Sequence, residues 1–208
     1  MEDLDPDVIR KAQRGDTDSF AEIVRYYQPS VFSTVFRLVG GQTQSEIEDL
    51  AQDLFLKVYR ALPRFDYGRG VKFSTWLFTA VKNVCYDYLR KKRLPTEPLE
   101  PFTSSSSGSG ARQKDKDSAG PRSDVPAEMQ AVQPGHELLS TELGRKIGDA
   151  VQRLPQDQRT AFVLREYQAL SYEEIAEITE ASIGTVKSRL FRAKESLRTI
   201  LSPYLTVR

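Results

Sequence analysis

Apolar residues recur along most of the chain with the three- and four-residue spacing that gathers side chains on one face of an α-helix. The pattern holds through residues 1–94 and returns through residues 136–208. Neither part sustains the strict alternation of apolar and polar positions that a β-strand produces. The chain therefore predicts an all-α protein with two small helical domains.

Capping residues and helix breakers predict where the helices of the first domain begin and end. Gly40 should end a helix, because glycine readily adopts the left-handed backbone of a C-terminal cap. Pro29 lies inside that helix and should kink or split it, since proline cannot donate the backbone hydrogen bond. Ser45, followed by Glu48, matches a capping box that should open the next helix.

The stretch between the two domains, residues 95–135, has a different composition. It is rich in Ser, Pro and Gly and poor in branched aliphatic residues. Such a segment buries too little apolar surface to offset the conformational entropy lost on ordering. We therefore predict a flexible linker that joins a first domain, residues 1–94, to a second domain, residues 136–208.

The helix predicted over residues 45–62 combines a buried apolar stripe with an acidic face. That face carries Asp49, Gln52 and Asp53 together with one apolar residue, Leu56. An acidic surface with an apolar centre suits the docking of a basic partner helix, although a solvated face with one exposed leucine gives the same pattern. The two aspartates have no histidine near them, so we expect neither a metal site nor acid–base chemistry.

The helix predicted over residues 72–93 interleaves aromatic side chains with cations and an amide. Between Lys82 and Arg93 there are five basic residues and one acidic residue. Cations bind phosphates and aromatic rings stack on unpaired bases, so this composition suits single-stranded nucleic acid. An amphipathic core helix with a basic C-terminal end, favoured by the helix dipole, accounts for it equally well.

Residues 171–198 predict a helix-turn-helix unit. A capping box, Ser171 with Glu174, opens a short helix, Thr179 to Ala181 make the turn, and Ser182 caps the second helix. We expect the second helix to bury Ile183, Val186 and Leu190 and to present these side chains outward: Thr185, Lys187, Ser188, Arg189 and Arg192. Such a helix fits the major groove of DNA, whereas an ordinary helical hairpin with a basic solvated face is the alternative.

The composition narrows the possible functions. A net charge of +1 excludes a uniformly basic DNA coat, so nucleic-acid contacts must come from local patches. The single cysteine, Cys85, provides neither a disulfide framework nor a multi-cysteine metal site. We see no membrane-length apolar run and no signal peptide, and we expect a cytoplasmic protein without membrane insertion. We find no phosphate-binding glycine loop and no zinc-ligand spacing, so no cofactor is expected.

Taken together and in order, these stretches resemble the extracytoplasmic-function (ECF) sigma factors of the sigma-70 family. In the first domain the resemblance rests on GDTDSFAEIVRYY, EDLAQDLFLKVYRAL, FSTWLFTAVKN and DYLRKKR. In the second domain it rests on LPQDQRTAFVLREYQALSYEEIAEI and GTVKSRLFRAKESL. The match covers nearly all of the chain outside the linker, with region 2-like and region 4-like domains.

The resemblance implies a sigma factor that binds core RNA polymerase, recognises the −10 and −35 promoter elements, promotes melting of the DNA and starts transcription, without enzymatic activity. It implies polymerase contacts at Asp49, Gln52, Asp53 and Leu56. It implies contacts to the single-stranded −10 element at Phe73, Trp76, Lys82, Asn83, Arg90 and Lys91. It implies contacts to the duplex −35 element at Ser182, Thr185, Lys187, Ser188, Arg189 and Arg192. An anti-sigma factor is a further expected partner.

One position departs from the usual pattern of this resemblance. Glu180 occupies a turn site that often holds glycine, where a left-handed backbone costs a non-glycine residue about 1 kcal/mol. A reshaped turn there would shift the register of the recognition helix by one residue. The alternative function is a stand-alone helix-turn-helix regulator, which would leave the aromatic and basic helix of residues 72–93 without a role.

Overall fold

The computed structural model of the protein describes residues 3–40, 43–93 and 142–205. The predicted linker, residues 95–135, lies outside these ranges. Regular structure in the described part of the chain is helical throughout, which confirms the all-α prediction. Within the same part of the chain, no helix has the length and hydropathy needed to cross a bilayer.

The first domain is built around one central helix. Its helices are α1 (Pro6–Gln13), α2 (Thr17–Val39), α3 (Gln44–Ala61) and α4 (Phe73–Arg93). Two short 3-10 turns, Leu62–Arg64 and Tyr67–Arg69, lead from α3 into α4. Helix α2 packs against the other three helices. Its apolar face therefore supplies the middle of the core, with Ile23, Tyr27, Val31 and Val35 fully buried.

Two predicted details of this domain need correction. Pro29 does not split the helix, because α2 continues through it without a break. The carbonyl that loses its helical donor belongs to Arg25, an exposed residue, so water can satisfy it. The capping box of α3 forms at Thr43 and Glu46, two residues before the predicted pair. The two patterns overlap in the sequence, and the earlier one gives the longer helix.

The beginning of α4 is fixed by a residue from the other end of the domain. The carboxylate of Asp3 accepts hydrogen bonds from the backbone N–H groups of Phe73 and Ser74, each at 3.1 Å. The buried hydroxyl of Tyr27 donates to the same carboxylate at 3.0 Å. Asp3 thus performs the role of an N-terminal cap, which satisfies amide groups that the helix itself cannot pair.

The second domain consists of a short helical bundle that ends in a long helix. Its helices are α5 (Glu142–Gln152), α6 (Gln156–Glu166), α7 (Tyr172–Thr179) and α8 (Ile183–Leu205). Helix α8 packs against the other three, and its buried side chains include Val186, Leu190, Ala193 and Leu197. The prediction that Ile183 is a core residue is wrong, because 40% of it is exposed at the first turn of α8.

The turn between α7 and α8 has the predicted geometry. Glu180 adopts a left-handed backbone, with φ of 52° and ψ of 42°, and ends α7. The hydroxyl of Ser182 accepts a hydrogen bond from the backbone N–H of Thr185 at 3.1 Å and so caps α8. The strained residue is tolerated without reshaping the turn, and the predicted register of α8 is retained.

The two domains pack against each other along two helices of the first domain. Helix α2 contacts α5 and α6, and α4 contacts α7. At the C-terminal end of α2, Gln152 donates to the carbonyl of Arg37 at 2.8 Å and Arg159 donates to that of Leu38 at 2.9 Å. Gly40 ends α2 with φ of 61°, and a Cβ at this position would overlap the side-chain amide of Gln152. The glycine therefore permits both the helix end and the close approach of α5.

Candidate nucleic-acid and partner interfaces

The acidic face of α3, defined by Asp49, Gln52, Asp53 and Leu56, is exposed as predicted. Leu56 is 54% exposed, a large fraction for an apolar side chain. The opposite face of the same helix is buried and packs against the core of the domain. The residues thus form one continuous patch that carries negative charge around an apolar centre, the arrangement expected of a docking surface.

Tyr59 extends this patch and was not identified from the sequence. It lies one helical turn after Leu56, and 41% of it is exposed. Its ring packs edge-on against Phe20 of α2, with 4.8 Å between the ring centroids. Aromatic residues are common at the centres of interfaces, and Tyr59 lies three residues after Leu56, which places both side chains on one face of the helix. This spacing was the signal in the sequence that could have identified Tyr59.

The aromatic residues at the start of α4 form a cluster that is mostly internal. The Trp76 ring lies 5.2 Å from Phe65 and 5.5 Å from Phe73, centroid to centroid, and Trp76 keeps part of its surface exposed. Phe73 has no exposed surface and also packs against Tyr27. The prediction that Phe73 contacts DNA does not fit this burial, and its position suits support of Trp76 instead.

The polar candidates on α4 differ in accessibility. Asn83, Arg90 and Lys91 are exposed. Arg90 donates to the carboxylate of Asp87 one turn earlier at 2.9 Å, an exposed pair that solvent screens and that a phosphate can displace. Lys82, by contrast, is only 7% exposed, because the second domain covers it. Sequence periodicity placed Lys82 outward on α4 correctly but could not show that another domain lies over it.

The start of α8 presents a row of small polar and basic side chains. Ser182, Thr185, Lys187, Ser188 and Arg192 are exposed. The hydroxyls of Ser182 and Thr185 lie 2.9 Å apart, and that of Ser188 donates back to the carbonyl of Gly184. These short side chains leave the helix slim enough to enter a DNA groove while the two cations reach outward.

Two further side chains of α8 change the predicted surface. Arg189 is partly covered and donates to the carboxylate of Asp157 in α6 at 2.7 Å. Phe191, which sequence analysis did not select, is 68% exposed on the helix. Phe191 lies one turn from both Lys187 and Glu195. Its position off the buried apolar stripe of α8 was the signal in the sequence that could have identified it. Its ring adds an apolar surface beside the polar row.

Ion pairs and hydrogen bonds join the face of α4 to the second domain. Lys72 pairs with Glu174 at 2.8 Å and Lys82 pairs with Glu180 at 3.2 Å. Burial opposes ionisation of Glu174, but hydrogen bonds from Lys72 and from the Ser171 backbone together hold its pKa below the ordinary value. The hydrogen bond to Glu174 also raises the pKa of Lys72. Both groups are therefore charged near neutral pH.

The single cysteine belongs to the core and has no exposed surface. Burial raises the pKa of the Cys85 thiol to about 12, so the reactive thiolate does not form near neutral pH. Cys85 therefore acts as a small apolar side chain of the core and is not a candidate for redox chemistry.

Comparison with known families identifies both domains. The family model for Sigma-70 region 2 matches residues 23–94, and the model for Sigma-70, region 4 matches residues 144–197. The ECF RNA polymerase sigma-E factor of Haemophilus influenzae is 33% identical over 204 residues, which cover 97% of each chain. The ECF RNA polymerase sigma factor SigW of Bacillus subtilis is 34% identical and covers 91% of this chain and 92% of its own.

The chain belongs to the ECF sigma factors of the sigma-70 family. It is accordingly a promoter-specificity subunit of RNA polymerase, and this function is supported over the stand-alone helix-turn-helix regulator. Two solved structures share the fold. CnrH in complex with the cytosolic domain of CnrY matches with a TM-score of 0.62 and 18% identity, over 94% of this chain and 96% of that one. RpoE from Bartonella quintana in complex with the anti-sigma factor NepR matches with a TM-score of 0.58 and 24% identity, over 88% and 96%.

Proposed function

We propose that this sigma factor divides polymerase docking and promoter recognition among three surfaces on separate helices. The observation that carries the proposal is the presence on one chain of two differently built cationic helices. Helix α4 combines aromatic rings, an amide and cations, whereas α8 is a slim, Ser182-capped helix with a polar and basic face. The first composition suits unpaired bases and the second suits a duplex groove.

The acidic face of α3 is the proposed docking site for core RNA polymerase. Asp49 and Asp53 supply negative charge, Gln52 supplies an amide, and Leu56 and Tyr59 supply the apolar centre. Charge pairs at the rim of an interface steer association, while apolar and aromatic groups near its centre contribute most of the affinity. The complementary partner is a basic helix or helical hairpin with exposed apolar side chains.

The exposed half of α4 is the proposed site for the single-stranded −10 element. Asn83 can read the edge of an unstacked base through its amide, and Trp76 can stack on a base at the edge of the melted region. Arg90 and Lys91 both lie about two turns beyond Asn83 on the helix, where phosphates of the same strand would pass. Lys82 joins this surface only when the second domain moves away, and Phe73 supports Trp76 from the core.

The first turns of α8 are the proposed reader of the duplex −35 element. Ser182, Thr185 and Ser188 can hydrogen-bond to base edges or phosphates, and Lys187 and Arg192 supply positive charge. Phe191 adds an apolar surface that suits the methyl groups of thymine. Arg189 contributes when DNA competes with Asp157 for its guanidinium group.

This assignment gives the chain no chemical reaction of its own and places it in the cytoplasm with polymerase and chromosome. Each reading surface alone should bind DNA weakly, and joining the two on one chain bound to polymerase raises their effective concentration. The same exposed apolar and charged surfaces also suit capture by an anti-sigma factor, which would block polymerase and DNA together.

Run-off transcription tests the proposal directly. Purified core polymerase is combined with a library of promoter fragments, with and without this protein. We expect specific transcripts that depend on the protein, and aligning their upstream sequences defines both promoter elements. Absence of such transcripts, with tight binding of the free protein to duplex DNA, would contradict the proposal and favour a stand-alone regulator.

A further inference from the structure

The second domain covers part of the surface that we assign to the −10 element. Lys82 lies in the middle of α4 and is 7% exposed. Its ammonium group is 3.2 Å from the carboxylate of Glu180 in the turn between α7 and α8. A buried cation needs an anionic partner, because the charge has lost most of its hydration. In this arrangement the partner comes from the duplex-reading domain, where a DNA phosphate would otherwise stand.

Glu180 holds this position at a conformational cost. It is one of two non-glycine residues in the described part of the chain with a positive φ, and glycine would adopt the same backbone without strain. A local requirement of the turn does not explain the glutamate, since its carboxylate plays no part in capping α7 or α8. The contact with Lys82 supplies a reason for the side chain that the helix-turn-helix unit itself does not.

Other polar contacts hold the same face of α4 closed. Tyr86 lies one turn after Lys82, and its hydroxyl is 3.0 Å from that of Thr160, a buried residue of α6. Lys72, just before α4, pairs with Glu174 of α7 at 2.8 Å. Charged and polar contacts to the second domain thus occur from just before the start of α4 to beyond its middle.

An ion pair with an exposed partner is weak, so a competing anion can displace that partner. The Glu180 side chain is 78% exposed, so solvent screens its attraction to Lys82. Single-stranded DNA carries a phosphate at every nucleotide and offers Lys82 several competing partners. Release of the cation from Glu180 and its capture by phosphate therefore exchange one ion pair for another.

We propose that Glu180 is a latch that keeps the free sigma factor closed by occupying Lys82, and that opening of the domains exposes Lys82 to the single-stranded promoter element. The inference rests on the proposed function for the role of Lys82 in DNA binding. The latch itself is a property of the free protein. It would limit binding of free sigma factor to DNA, since the −10 surface becomes complete only when the second domain is drawn away.

The distance between the domains tests the latch without DNA or polymerase. The full-length chain carries spin labels at Glu22→Cys in α2 and Glu195→Cys in α8, both exposed positions. Cys85 is fully buried and does not compete for the label under native conditions. Double electron–electron resonance gives the distribution of distances between the two spin labels. We expect one dominant short distance for the otherwise unaltered chain.

Substitutions at the latch should shift that distribution. Glu180→Gln and Glu180→Gly should both broaden it toward longer distances. Glu180→Gly should also leave the thermal stability unchanged or raised, because it removes backbone strain. Ala169→Gly is the matched control, since Ala169 has the other positive φ, at 53°, and takes no part in the ion pair. Only the Glu180 variants should open the protein.

A charge exchange separates direct pairing from indirect effects. Lys82→Glu and Glu180→Lys should each open the domains, because each places like charges together. The double variant Lys82→Glu/Glu180→Lys should restore the short distance. An unchanged distribution in all single variants, or no recovery in the double variant, would overturn the latch.

Binding to DNA tests whether the latch masks Lys82. The probe is a fluorescein-labelled single-stranded oligonucleotide that carries the −10 element identified by run-off transcription. Glu180→Gln should bind it about three- to tenfold more tightly than the unaltered chain, whereas Ala169→Gly should not. If Glu180→Gln opens the domains but binds the oligonucleotide no more tightly than the unaltered chain, the latch does not mask Lys82. Failure of the transcription assay would instead count against the proposed function, because the distance measurements do not depend on it.

Discussion

Single residues decide how the elements of this sigma factor begin and where they meet. Asp3 shows this most directly, since its carboxylate satisfies two amide groups at the start of α4 and the hydroxyl of Tyr27. Burial raises the pKa of Tyr27, so its hydroxyl remains a proton donor at all ordinary pH values. The sequence could not reveal this cap, because seventy residues separate the aspartate from the helix that it serves.

Replacing Asp3 tests the cap. Asp3→Ala should lower the free energy of unfolding by about 1–2 kcal/mol, as for the loss of an N-terminal cap. Urea denaturation followed by circular dichroism measures the change. Asp7→Ala is the control, since Asp7 makes only an exposed ion pair with Arg10 and should cost less than about 0.5 kcal/mol. Equal effects of the two substitutions would argue against the capping role.

Asn83 carries the prediction for base recognition. Asn83→Ala should reduce open-complex formation at a cognate promoter by about tenfold, because the amide that reads a base edge is lost. The affinity for core polymerase should not change, since Asn83 lies on α4 and the proposed docking surface lies on α3. Permanganate footprinting and a polymerase pull-down measure the two effects. Gln44→Ala removes another exposed amide and should leave both unaltered; full activity of Asn83→Ala would exclude Asn83 as the reader.

Helix ends matter most at the scale of whole elements. Helix α7 is short, and the capping box between Ser171 and Glu174 fixes its start. Glu174 also forms the ion pair with Lys72, so one side chain both caps α7 and attaches it to the first domain. The sequence pattern predicted the box, but the pairing with Lys72 required two distant segments to meet. For α3 the pattern was ambiguous, and the box formed at Thr43 instead of Ser45.

Glu174 gives a prediction for pH. Its pKa is lowered from an ordinary value of 4.5, so its contribution to stability is complete above about pH 4.5 and is lost as the pH falls through the lower folded value. Glu174→Gln should therefore lower the melting temperature at pH 7, and the difference from the unaltered chain should shrink by pH 3. Thermal denaturation at the two pH values measures this. Glu177→Gln, an exposed change in the same helix, is the control; a difference that persists at pH 3 would contradict the assignment.

At the scale of the whole molecule, function depends on which surfaces remain open when the domains are together. The acidic face of α3 is exposed in the closed arrangement, whereas Lys82 on α4 is covered. On the proposed assignment, the free protein presents its polymerase surface before its −10 surface is complete. This order suits a factor that should find polymerase first and DNA afterwards.

Charge reversal tests the docking surface. Asp49→Lys/Asp53→Lys should weaken binding to core polymerase by at least about tenfold, because like charges then face the basic partner. Surface plasmon resonance at two salt concentrations measures the affinity, and the difference should narrow at high salt. Glu22→Lys/Glu177→Lys reverses two charges elsewhere and should have little effect. Unchanged affinity of the Asp49 and Asp53 variant would remove α3 from the interface.

Much of this protein follows from its sequence alone. Helical periodicity, capping residues and the left-handed turn at Glu180 are local properties, and they determined the helices, the helix-turn-helix unit and the exposed faces of α3 and α8. The physical reason is that spacing within one helix decides which side chains share a face. The order of the motifs along the chain was sufficient to indicate the family.

Only the tertiary structure decided which of the candidate residues are accessible. Phe73 and Ile183 each belong to the apolar stripe of their helix, yet Phe73 is fully buried whereas Ile183 is 40% exposed. Lys82 lies on the outer face of α4 and is nevertheless buried, because Glu180 of the other domain lies against it. Burial of this kind depends on contacts between segments far apart in the chain, and no local pattern encodes them.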